Sequence, residues 1–260
     1  MRGESSKEGF PPVSWKMKRF VLALQFLTVF TVKRGVEASR EEISGSMAYF
    51  PLVGAVQGLI LVAADYVLGE FLPGGIVSAL LVLILLVTNG GLHLDGFADT
   101  VDGLAGGRER EERLRIMRTG TVGALGVAFT VLLLLLKYLS LDALASGYRA
   151  GVLFLFPVIG RWAMVPLSYW SVYARPTGGI GEAFTGAGLS TLLISTAFTA
   201  VLSVFILGMP GVFLLTFLGA AAFLFSVLFH WKLGGVTGDV FGFCSEVSEV
   251  IFLLMVIALI

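Results

Sequence analysis

The stretch IVSALLVLILLVTNGGLHLDGFADTVDG, residues 76–103, joins an uncharged apolar run to three closely spaced aspartates. The apolar half is typical of a membrane helix. In the other half, Asp95, Asp99 and Asp102 are separated by four and then three residues, so a helix would place them on one stripe. Like charges on one helical face repel each other, and the low dielectric beside a membrane strengthens that repulsion. A divalent cation would relieve it.

Two interpretations of the aspartates are open. Carboxylate oxygens suit Mg²⁺ or Mn²⁺, and such ions in proteins often also hold a phosphate of the substrate. The alternative is an acidic helix start, where carboxylates complement the helix dipole. That alternative explains Asp95 but not why Asp99 and Asp102 share its stripe. The spacing therefore favours a metal site formed by Asp95, Asp99 and Asp102.

The composition indicates an integral membrane protein. Of the 260 residues, 57% are hydrophobic and 14% are charged, whereas a soluble domain carries roughly 25% charged residues. The apolar runs are long and do not alternate, which favours helices over a barrel. A net charge of zero gives no bulk attraction to nucleic acid. The single cysteine, Cys244, excludes an internal disulfide and a multi-cysteine metal site.

The fold class predicted from these runs is an all-α, polytopic transmembrane bundle with about seven spans in one domain, residues 1–260. Phe20–Val32 is too short to span and predicts an interfacial or re-entrant helix, preceded by a polar tail over residues 1–16. Arg40-Glu41-Glu42 is interpreted as a solvated linker. The predicted spans are Ser46–Leu68, Ile76–Gly91, Val122–Leu139, Ala150–Trp170, Leu189–Leu207, Val212–His230 and Val247–Ile260.

Positive charge predicts the orientation. With these spans, the 18 Lys and Arg residues lie on one side, except for Lys137 and Arg149 on the other side and Arg161 within a span. Cytoplasmic loops carry the excess of Lys and Arg, so the charged side is the cytoplasm. The aspartate stripe, the loop 173–188 and the loop 232–249 then share that face and are expected to form one site.

The second of these loops contains the glycine-rich segment 234–242. Closely spaced glycines let backbone N–H groups approach an anion, so Thr237 and Gly238 are candidates for binding the substrate. Asp239 is a candidate metal ligand or base. The alternative is a turn that ends one helix, followed by an acidic helix start that contains Glu246 and Glu249.

Four further side chains are candidates for substrate binding. Arg161, in an apolar span, predicts either an anion site or an ion pair with a carboxylate. His93 is a candidate metal ligand or phosphate donor, or else a structural histidine. Arg118 precedes a helix start suited to an anion, and Arg175 lies in the loop 173–188. Together these features indicate metal-assisted chemistry on a phosphate or diphosphate at the membrane surface.

Residues 90–103 resemble a motif of the cobalamin synthase family, also called adenosylcobinamide-GDP ribazoletransferases. Further matches to the family run along most of the chain. They are Gln25–Thr28, Tyr49–Gly54, Arg113–Met117, Gly160–Trp162 and Gly235–Asp239 with Gly242. The sequence departs from the family where Val29 and Thr31 replace an Arg and a Pro, and where residues 119–121 replace Asp-Ser-Arg.

The resemblance implies a Mg²⁺-dependent membrane enzyme, and the distribution of Lys and Arg predicts that its active site lies on the cytoplasmic face of the cell membrane. A hydroxyl of α-ribazole, or of its 5′-phosphate, would attack the cobinamide-linked phosphorus of adenosylcobinamide-GDP and release GMP. In this interpretation Asp95, Asp99 and Asp102 hold the metal, and Asp239 completes the site or acts as the base. Arg161 or Arg118 would steady the leaving GMP. A homo-oligomer is compatible with the sequence.

Three other functions are weighed against this one. A membrane prenyltransferase also uses an Asp-x-x-x-Asp motif with Mg²⁺, but residues 232–249 are a poor second copy of it. A CDP-alcohol phosphotransferase has a longer, four-aspartate pattern. A transporter predicts charged groups spread through the midplane, whereas the carboxylates here are predicted at the ends of spans on one face.

Overall fold

Long apolar helices make up most of the chain in the computed structural model, which describes residues 15–32, 37–176 and 178–259. No strand occurs in these ranges; one isolated bridge joins Tyr173 to Val236. The all-α class is therefore confirmed. The α-helices are α1 Trp15–Leu27, α2 Arg40–Ser46, α3 Phe50–Gly69, α4 Gly74–Thr88, α5 Leu92–Gly106, α6 Arg110–Ile116, α7 Ala124–Asp142, α8 Ser146–Tyr169, α9 Leu189–Leu207, α10 Met209–Leu233 and α11 Gly238–Leu259.

Six stretches of the described helices are long and apolar enough to cross a membrane, or up to seven if α4 and α5 together form one span. This agrees with the predicted polytopic bundle. The bounds of α9 coincide with the predicted span, and those of α3, α7, α8 and α10 differ from the predictions by a few residues. Arg149, at the start of α8, donates to Asp65 near the end of α3 and to the Leu141 carbonyl near the end of α7. Those ends therefore share the face opposite to the start of α7.

The N-terminal part differs from the prediction in two respects. The short helix is α1, Trp15–Leu27, which begins and ends earlier than the predicted Phe20–Val32. Residues 1–14 of the predicted polar tail lie outside the described residues. The segment Arg40-Glu41-Glu42 is not a linker but the first turn of α2. Its start is fixed by a capping box, in which Ser39 accepts from the backbone N–H of Glu42 and the Glu42 carboxylate accepts from that of Ser39.

Helix α8 is the most buried span and packs closely against α3. A side chain at Gly54 or Gly58 of α3 would collide with the backbone of α8 at Pro157 or Phe154. Small residues spaced by four positions let two membrane helices approach closely, because they leave a groove on one face. These two helices form the scaffold on which the other spans pack.

The predicted second span ends before Gly91. Helix α4 stops at Thr88, and α5 departs from it at 89°. Gly90 and Gly91 allow this break, since both have positive φ angles, 61° and 71°. The aspartate stripe therefore lies on α5, a separate helix from the apolar run of α4.

The predicted loop 232–249 is the largest correction. Helix α11 begins at Gly238, nine residues before the predicted Val247. Glu246 and Glu249 therefore lie inside the helix and are buried, not at its acidic start. They are held by Lys137 and Arg161, which come from α7 and α8.

Candidate active site

The site forms where α5 crosses the first turns of α11. A Cβ atom on Gly96 would lie 2.8 Å from the backbone of Asp239, and one on Gly242 would lie 2.7 Å from the carbonyl oxygen of His93. Both distances are shorter than real Cβ contacts, so only glycine lets the two backbones touch here. The crossing places Asp239 directly beside the helix that carries the aspartate stripe.

The four candidate carboxylates gather at this crossing. Asp99 interacts electrostatically with Asp95, Asp102 and Asp239, and with the guanidinium of Arg175. Asp95 is exposed, Asp99 and Asp239 are partly buried, and Asp102 is buried. The predicted meeting of the aspartate stripe with the 173–188 and 234–242 segments is therefore confirmed.

Asp239 is held by two side-chain donors. Arg175 donates to one of its carboxylate oxygens at 2.7 Å, and the Thr237 hydroxyl donates to the same oxygen at 3.1 Å. Arg175 reaches this position because residues 172–174 pair with Val236. In that pairing the Val236 N–H donates to the Val172 carbonyl, and the Ala174 N–H donates to that of Val236, both at 2.9 Å.

Asp102 faces away from Asp239, toward the start of α7. Its carboxylate accepts from the backbone N–H groups of Gly123 at 2.6 Å and Gly126 at 2.8 Å. A Cβ on either glycine would collide with the carboxylate. The anion also complements the positive end of the α7 dipole. Asp102 thus joins the aspartate helix to α7, a role that its spacing in the sequence does not reveal.

A cavity of about 410 Å³ opens beside Asp102. Thr119, Thr121 and Gly123 line it, and the exposed Arg118 precedes them in the chain. Gly238 lies on the other side of the crossing, where Gly181 of the 173–188 segment packs against its backbone. Of the predicted substrate-binding residues, Thr237 donates to Asp239 and Gly238 precedes Asp239 in the chain. Arg118 is next in the chain to Thr119, which lines the cavity.

Two arginines of α6 support the site and were not predicted to do so. Arg110 donates to the Ala174 carbonyl at 2.8 Å, and Arg113 donates to the Lys232 carbonyl at 3.0 Å. They tie α6 to both segments that flank Asp239. The alternation of Arg and Glu in this region suggests a solvated surface, and backbone acceptors leave no signal in a sequence.

The side chains of His93 and Arg161 are both shielded from solvent. Arg161 is fully buried, and its guanidinium is paired with Glu249, as in the second of its two predicted roles. His93 is buried with neither ring nitrogen hydrogen-bonded within the described residues. Both therefore lie behind the four carboxylates rather than among them.

A metal role for the carboxylates stays a prediction. In the described ranges, no group of three or more His, Cys, Asp or Glu side chains already forms a metal-binding arrangement. The carboxylate of Asp102 is already engaged by backbone N–H groups of α7, and that of Asp239 by Arg175. The donor set nevertheless fits a hard divalent cation, because Asp99 lies near three other carboxylates and the guanidinium of Arg175.

The fold and the site define a multi-pass, all-α membrane protein that gathers carboxylates and an arginine at one face. A family profile described as cobalamin-5-phosphate synthase matches residues 19–257, and the chain belongs to that family. Relatives of similar length carry the name adenosylcobinamide-GDP ribazoletransferase. The protein from Geotalea daltonii is 39% identical over 94% of this chain and 98% of its own length. That from Pseudomonas syringae is 37% identical, over 92% and 98%. No solved structure gives a significant match.

Proposed function

We propose that the chain is an adenosylcobinamide-GDP ribazoletransferase of the cell membrane with its active site on the cytoplasmic face. The observation that carries the proposal is the meeting of Asp95 and Asp99 with Asp239 and Arg175 at one face of the bundle. The family and the name of its relatives support the same activity. The bias of Lys and Arg toward that face supports its cytoplasmic placement.

In the proposed reaction, a hydroxyl oxygen of α-ribazole or its 5′-phosphate forms a bond to the cobinamide-linked phosphorus of adenosylcobinamide-GDP. The bond from that phosphorus to the bridging oxygen breaks, and GMP leaves with the electron pair. Asp239 accepts the hydroxyl proton. Arg175 orients this carboxylate, since it holds one of the two oxygens and leaves the other available.

Asp95, Asp99 and Asp102 are the proposed ligands of Mg²⁺, which would neutralise charge on the diphosphate. Asp102 can serve both α7 and a cation, because a carboxylate has about four lone-pair sites and two are used by backbone N–H groups. Arg118 directly precedes Thr119, which lines the cavity beside Asp102, and a cationic side chain near that cavity can steady the leaving GMP. Positioning and charge neutralisation are the main needs of phosphoryl transfer.

The experiment is GMP release by the purified protein in lipid vesicles, with adenosylcobinamide-GDP and each form of ribazole, at graded Mg²⁺. We expect Asp99→Asn to reduce turnover at limiting Mg²⁺ by at least about 100-fold, since one ligand of the proposed ion is lost. Asp142→Asn is the matched control, because Asp142 is an exposed aspartate at the other end of the bundle. Near-normal turnover of Asp99→Asn would contradict the metal assignment. Failure to release GMP, with prenyl diphosphate accepted instead, would favour a prenyltransferase.

A further inference from the structure

Behind the four carboxylates lies a buried group of polar side chains that the proposed reaction does not use. Lys137 donates to Glu246 at 2.6 Å and also to Glu249. Arg161 donates to the other oxygen of Glu249 at 3.2 Å. All four side chains are at least 96% buried. We refer to Lys137, Arg161, Glu246 and Glu249 as the buried ion network.

Arg161 connects this network to the break between α4 and α5. Its Nη2 donates to Asn89 Oδ1 at 2.6 Å, and its Nε donates to Gln57 Oε1 at 3.1 Å. Gln57 in turn donates from Nε2 to the same Asn89 oxygen. Asn89 is the residue at which α4 ends, immediately before the two glycines of the break.

The same guanidinium also holds α11. Its Nη1 donates to Ser245 Oγ at 2.6 Å as well as to Glu249. Arg161 therefore joins the point from which the helix of Asp95 departs to the helix that carries Asp239. The far end of α5 is fixed separately, by Asp102 on the start of α7. The contacts of Arg161 thus act at the near end of α5, where Asp95 lies, together with the close crossing of α5 and α11 at Gly96 and Gly242.

We infer that Arg161 is a positioning residue, which sets the placement of Asp95 and Asp99 relative to Asp239 through Asn89. This inference rests on the proposed function for what the carboxylates do. Stabilisation alone explains the network poorly, because burying ion pairs costs desolvation energy that their attraction often does not exceed. An arginine is needed because its planar fork reaches four separate acceptors, which a lysine ammonium does not.

The test compares Arg161→Lys with Arg149→Lys. Arg149 lies on the same helix and also forms an ion pair, with Asp65, but at the opposite face. Both substitutions keep the charge and lose the fork, so the control reports the general effect on stability. Two readouts are measured in vesicles: the Mg²⁺ concentration for half-maximal GMP release, and a distance by electron paramagnetic resonance.

The distance is measured between spin labels on cysteines at Leu92 and Trp231, in a Cys244→Ala background. Leu92 is the first residue of α5 and is 47% exposed, and Trp231, near the end of α10, is 75% exposed. We expect Arg161→Lys to broaden the distance distribution and to raise the half-maximal Mg²⁺ about tenfold or more. Arg149→Lys should leave both unchanged, even where it lowers the unfolding temperature.

A second substitution covers the case in which Arg161→Lys does not fold. Asn89→Leu removes the acceptor at the break but leaves Arg161 paired with Gln57, Ser245 and Glu249. It should broaden the same distance. A native distance distribution in the folded variant would overturn the inference. Activity that does not depend on Mg²⁺ in the unmodified protein would instead refute the metal role alone, because the distance would still report the positioning of α5.

Discussion

Replacing Asp102 should destabilise the start of α7 by an amount that depends on how many acceptors the new side chain keeps. The Asp102 carboxylate accepts from two backbone N–H groups, one of them buried. Leaving a buried donor without a partner costs about 1–3 kcal/mol, and losing an anion at a partly buried helix start costs up to about 2 kcal/mol. Asp102→Asn keeps one acceptor and should cost about 2 kcal/mol, whereas Asp102→Leu keeps none and should cost about 4 kcal/mol.

The assay is reversible unfolding in detergent micelles, followed by hydrogen exchange of the Gly123 and Gly126 amides. Both amides should exchange faster in each variant, because their acceptor is weakened or lost. Asp142→Asn is the control, since Asp142 is the last residue of the same helix. The helix dipole does not stabilise an anion at that end. Equal free energies of unfolding for Asp102→Leu and the control would refute this reasoning. The Asn and Leu variants must also differ in the predicted order.

Three further predictions concern packing and charge at or beneath the site. Gly242→Val should lower GMP release at least about tenfold with the fold retained. The reason is that the added Cβ would meet the His93 carbonyl and push α5 away from α11. Normal turnover would contradict the close crossing. Arg175→Met should reduce kcat about 10- to 100-fold with little change in KM, since Asp239 loses its ion pair. A change confined to KM would indicate a role of Arg175 in substrate binding instead. Gly58→Leu should lower thermal stability in micelles, since it would collide with the backbone of α8, and an unchanged melting temperature would contradict that contact.

The sequence predicts the class, most spans and the meeting of the aspartates with Asp239, because these depend on hydrophobic length and on the side of the membrane that carries Lys and Arg. Helix α9 is the clearest case, since glycines flank a run of 19 residues that contains no charge. The capping box at Ser39 and Glu42 also has a pattern that can be recognised in the sequence, although the neighbouring charged residues favour a linker.

What the sequence does not predict depends on contacts between distant helices. Helix α11 begins early because Glu246 and Glu249 are neutralised by Lys137 and Arg161, which are about 85 or more positions away in the chain. Without those partners, two glutamates are expected at the acidic start of an apolar helix and not inside it. The 89° break has a local cause in Gly90 and Gly91, but its direction is fixed by Asn89 and the side chains that bind it.

The two groups of charges in this bundle differ in balance, and that difference bears on which of them can bind a cation. The buried ion network pairs two cations with two carboxylates, as a low dielectric requires. At the crossing above it, Asp99 adjoins three other carboxylates and Arg175. That excess of negative charge is tolerable because Asp95 is exposed, Asp99 and Asp239 are partly exposed, and the buried Asp102 accepts two backbone N–H groups. In the proposed function, a cation would therefore bind at this face and not in the interior, and it would enter and leave with the phosphates of the substrate.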